Sequence, residues 1–141
     1  MPGPEGAPEK LVVLGGPQVI EVVEPIAVEL GLDPAVHETV RGSIGEIGLT
    51  GEGVAAAFID TVSRPRSDSD IRLDTLIDGL WRVQDKPIPT AVVATQHTIG
   101  RLRRKYGLSV YTEPRAAMLW PPEADIVRLW LTKAIRSRRE Q

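Results

Sequence analysis

The spacing of apolar positions changes several times along the chain, and each spacing predicts a different element. Residues 1–10, "MPGPEGAPEK", carry three prolines and two glycines without an apolar pattern. Such a stretch buries too little to offset the entropy of ordering, so it reads as a flexible leader. The next stretch, 11–30, is dense in Val and Ile and broken by Gly15-Gly16-Pro17 and by Pro25. β-Branched residues favour strands and Pro25 interrupts a helix, which predicts two or three short strands here, with a helix over 18–30 as the alternative. Asp33-Pro34 has the form of a helix N-cap and first helical residue, predicting a short helix that Gly42 stops near Arg41. Five glycines in residues 42–53 predict a loop or short hairpin.

From Thr50 the apolar spacing is three and four. Val54, Ala55, Phe58, Ile59 and Val62 line one face of a helix predicted over 52–62, closed by Arg64-Pro65. The polar run "SRPRSDSD" follows as a linker, and Asp70 caps a second helix whose apolar face is Leu73, Leu76, Ile77, Leu80 and Val83. "TAVVA", residues 90–94, reads as a buried strand. Thr95 or Thr98 caps a helix with Ile99, Leu102 and Tyr106 on one face, Gly107 ends it, and "LSVYT" is a further strand. The last segment, 121–140, predicts a helix with prolines at its start, Glu123 and Asp125 near its positive end, bases from Lys133 to Arg139 near its negative end, and Ile126, Leu129, Trp130 and Ile135 as its stripe. Together these elements predict one α+β domain over residues 11–141, with short N-terminal strands, a strand–helix–strand unit near 90–112 and a C-terminal helix.

Length agrees with a single domain, since 141 residues bury one core and not two comfortable ones. With no cysteine, disulfides, thiolate metal sites and cysteine nucleophiles are excluded. No window has the length of an uninterrupted membrane span, and the leader lacks the cationic start and apolar middle of a signal peptide. The expected location is therefore the cytoplasm or an intracellularly assembled particle. The net charge of −2 is divided unevenly. Residues 1–60 hold ten acids against Lys10 and Arg41, residues 61–100 balance, and residues 101–141 hold ten bases against four acids. Poles of this kind meet a charged partner or one another.

Chemistry-bearing motifs are sparse. His37 and His97 stand far apart without the four-residue spacing of a helical metal site, "LGGPQ" and "GLTGEG" lack the order of a phosphate-cradling loop, and "RGSIG" does not have the spacing of a serine elbow. Arg101, Arg104 and Lys105 fall within an arc of about 100° opposite the apolar face of their helix, with Arg103 apart from them. These four bases are the candidate surface for a protein or nucleic-acid partner. Asp70, Asp74 and Asp78 recur at four-residue spacing, and Asp60 ends an apolar run; such acids converge on magnesium in some nucleases. With "VVAT", the basic helix and "GLSVY", this pattern loosely resembles nucleases of the PIN type, which implies metal-dependent cleavage. Gln96 and His97 stand where that family has an acid. The reading preferred for Asp70, Asp74 and Asp78 is therefore a solvated acidic stripe paired with Arg72 and Arg82, with no metal.

The resulting expectation is a non-enzymatic assembly or structural subunit, a homo-oligomer or a neighbour of other subunits in a particle such as a virion, with no cofactor, no metal and no membrane. A nucleic-acid-binding protein using the basic helix is the alternative, and a nuclease the third reading.

Overall fold

The computed structural model describes residues 9–37, 52–63, 75–83, 88–108 and 115–139. Its strands are β1 (Lys10–Leu14), β2 (Asp33–His37), β3 (Val54–Asp60), β4 (Thr90–Ala94) and β5 (Arg115–Leu119). Its helices are α1 (Pro17–Glu29), α2 (residues 75–83, the part Gly79–Val83 wound as a π-helix), α3 (Gln96–Tyr106) and α4 (Ala124–Arg139). The five strands form one sheet in the order β2-β1-β3-β4-β5, and every pairing is parallel. The expected α+β class is thereby corrected to α/β. Parallel neighbours require crossover connections, and helices on both faces then bury the central strands β1, β3 and β4.

The two faces sort the core by strand parity. Val12, Leu14, Ala57, Ile59, Val92 and Ala94 pack on α2 and α3 through Leu76, Leu80, Ile99 and Leu102. Leu11, Val13, Phe58, Val93 and Met118 pack on α1 and α4 through Val19, Val23, Val127 and Trp130. Phe58 meets Trp130 edge to face, with centroids 5.9 Å apart.

Three element expectations are overturned, each for a stated cause. All seven residues of β3 are buried. A central strand covered on both faces is apolar at almost every position, so a helical spacing can be picked out of it by chance. Residues 17–29 form α1 instead of strands. Val19, Val23, Ile26 and Ala27 are its buried stripe, Pro17 occupies its first position, and Pro25 lies on the exposed side, where water can take the carbonyl that lacks an amide partner. Asp33-Pro34 opens no helix but lies in β2, an edge strand of the described sheet, where a residue without an N–H is tolerated.

The second half follows its local signals more closely. β4 is buried throughout. Thr95 caps α3, its side chain accepting from the Thr98 amide, and Gly107 ends it with φ 66°, a left-handed conformation that suits glycine. In α4 the buried stripe is Val127, Trp130, Leu131, Ala134 and Ile135, whereas Leu129, expected in the stripe, is 54% exposed. Pro121 and Pro122 precede α4 instead of opening its first turn. The leader 1–8, the glycine-rich stretch 42–51, the linker 64–70 and most of "LSVYT" lie outside the described residues.

Candidate functional site

In an open parallel sheet the natural crevice lies beyond the carboxyl ends of strands whose connections diverge. Here β1 leads to β2 on one side while β3 lies on the other, so the crevice falls between Gly15-Gly16 and Asp60-Thr61-Val62-Ser63.

Asp60 is the only buried charged residue among the described residues. Its Oδ1 accepts from the amides of Val62 at 2.8 Å and Ser63 at 3.1 Å. Its Oδ2 accepts from the Ser63 hydroxyl and, at 3.4 Å, from the Gly16 amide. A carboxylate offers about four acceptor positions, and donors from both loops meet it here. That is how the charge tolerates burial. The same contacts tie the β1–α1 turn to the loop after β3. Thr61 ties the same loop to β4 on its other side, its amide and hydroxyl donating to the Val93 carbonyl at 2.9 and 2.8 Å. Gly16 is needed at this crossing, because a Cβ there would lie 2.3 Å from the Ser63 carbonyl oxygen. Across the crevice between β1 and β3, the Asp60 carboxylate is thus engaged from both sides.

The basic surface is a different kind of place. Arg101, Arg103, Arg104 and Lys105 are all exposed on α3. Lys105 Nζ lies 3.9 Å from Asp78 Oδ1 and 5.3 Å from the centroid of the Tyr106 ring. Both members of that ion pair are about half exposed, so it contributes little. Asp78 also accepts from the Tyr106 hydroxyl. Tyr106 stands edge-on to Trp81, with centroids 4.8 Å apart, and the Trp81 indole donates to the Thr90 carbonyl at 3.3 Å. Asp78 therefore helps join α2 to α3.

Of the acids weighed as a metal cluster, only Asp60 and Asp78 are among the described residues. Asp60 and Asp78 have separate partners, Asp70 and Asp74 lie outside the described residues, and no group of three metal-ligating side chains occurs among the described residues. His37 ends the edge strand β2 and His97 is exposed in the first turn of α3. Sequence reasoning met Gly16 only as a chain break and a rejected phosphate loop, and Ser63 only as the start of a linker, so neither was assigned to a site. The available signal was an acid closing an unbroken apolar run with a serine three residues on, and a glycine pair closing an earlier run.

No family model matches the chain, and no curated protein is similar to it. Among solved structures it is similar to a response regulator receiver domain protein from Bacillus halodurans, with a TM-score of 0.60 and 13% identity over 90% of this chain and 97% of that one. At this identity the likeness establishes the fold, that of a receiver domain. The expectation of an assembly subunit or virion component is corrected on the same finding: the solved structure that shares the fold is a response regulator receiver domain protein and not a virion or structural component. The likeness lends no support to a nucleic-acid role for α3. Among the described residues no helix is long and apolar enough to cross a membrane.

Proposed function

We propose that the chain is a receiver-like regulatory domain that acts through protein contacts and performs no chemistry of its own. The observation that carries the reading is the likeness to a receiver domain over nearly the whole of both chains. The engagement of Asp60 by donors from both loops supports its second half. In this strand order the switch point between β1 and β3 is where a cofactor would sit, and here Gly16, Ser63 and Asp60 occupy it. A cytoplasmic location and a protein partner belong to the same proposal.

Two measurements test it. Cross-linking in the native cells should join this chain to another protein domain through its exposed helices. Amide chemical-shift titrations with FMN, ATP and inorganic phosphate should show no saturable change at Gly15, Gly16, Asp60 or Ser63. Saturable binding at those residues, or a turnover lost in Asp60→Asn, would replace the reading with a ligand-binding or enzymatic one.

A further inference from the structure

Helices α1 and α4 lie against each other on one face of the sheet. They are bridged by Arg128 Nε donating to Glu29 Oε2 at 2.8 Å. That hydrogen bond, followed by the carboxylate's charge, raises the guanidinium pKa further above its ordinary value. The chain neighbours of the bridging residues are Val28 and Leu129, which are 61% and 54% exposed. Two of the four large apolar side chains exposed among the described residues thus flank one ion pair on two touching helices.

Charge is arranged around them. At 100° per residue Glu21, Glu24 and Val28 share an arc of about 60° on α1, and Leu129, Lys133 and Arg136 share one of about 60° on α4. All six are exposed. Asp125, four residues before Leu129 and fully exposed, adds one acid at the start of the α4 stripe, 3.4 Å from the Arg128 guanidinium. One helix therefore presents an acidic stripe and its neighbour a stripe that is basic over its second half, at Lys133 and Arg136, each with an apolar residue in it.

A patch of this form is complementary to itself. Under a two-fold rotation the acidic stripe of one copy meets the basic stripe of the other twice, and the apolar residues come together between them. We propose that the outer face of α1 and α4 is a homodimer interface, closed by Glu21 and Glu24 of each copy against Lys133 and Arg136 of the other around Val28 and Leu129. The inference goes beyond the regulatory reading, because it names a second copy of this chain as a partner and the surface that meets it.

Sedimentation velocity on the intact chain, from low micromolar to millimolar concentration in low salt, tests it. The expected wild type is a concentration-dependent dimer that dissociates as salt is added. Paired reversal Glu21→Lys with Glu24→Lys, and separately Lys133→Glu with Arg136→Glu, should each weaken it by about tenfold or more, because like charges then face one another. Leu129→Lys should weaken it as well, and all four reversals in one chain should restore it. These positions are exposed, so far-UV circular dichroism should show an unchanged fold. A monomer at every concentration, a dimer indifferent to the reversals, or a quadruple variant no tighter than the paired ones would overturn the proposal. None of those results bears on the regulatory reading, which the shift titrations and cross-links decide.

Discussion

Asp60 and the four bases of α3 are both concentrations of charge beside the same sheet, yet they do opposite things. The carboxylate is fully buried and meets donors from two loops. The bases stand in solvent, and the ion pair of Lys105 with Asp78 is long and half exposed. A buried charge must be satisfied by its surroundings and so fixes them, while an exposed one is satisfied by water and leaves its neighbours free. In this protein Asp60 accordingly ties two loops together at the carboxyl end of the sheet, while the bases of α3 tie nothing across the crevice.

The contrast is broken most severely by Asp60→Ala. The amides of Gly16, Val62 and Ser63 lose their acceptor, and stability should fall by about 2–4 kcal/mol in chemical denaturation. A loss below 1 kcal/mol would show that the loops hold without the carboxylate. Gly16→Ala attacks the same tie sterically. Its methyl group meets the Ser63 carbonyl, so a loss of about 1–3 kcal/mol is expected, with amide shifts changing at Asp60 and Ser63. Thr95→Ala, on the exposed start of α3, should cost about 0.5–1 kcal/mol, the ordinary worth of an N-cap, read from the thermal midpoint. At the far end of the scale, Arg101→Glu with Arg104→Glu should change stability by no more than about 0.5 kcal/mol, because both side chains are solvated. If that pair proved as costly as Gly16→Ala, the α3 surface would be part of the fold and not a free face.

The site was legible in parts. Asp60 stood out as an acid closing an apolar run, and the structure places it and Asp78 in different surroundings, one beside Gly16 and Ser63, the other between α2 and α3. Helical spacing can bring acids on one helix together. It carries no information about an acid at the end of a strand. The partner of Asp60 across the crevice, Gly16, is 44 residues away in sequence, beyond the reach of any local pattern.

Local signals alone determined the elements whose two faces differ or whose ends are marked. Thr95 and Gly107 bracket α3, the Val-rich run of β4 reads correctly, and the amphipathic C-terminal helix is evident from its stripe and end charges. Only tertiary structure decided the rest. A strand buried on both sides is apolar at nearly every position, so β3 carries no period to distinguish it from a helix, and it is the neighbouring strands that make it one. The Val-rich α1 takes helical form because one stripe of it can bury against the sheet and α4, which outweighs the strand preference of its residues. Pro34 is admitted to a strand because β2 lies at an edge, a position assigned by the order of the sheet.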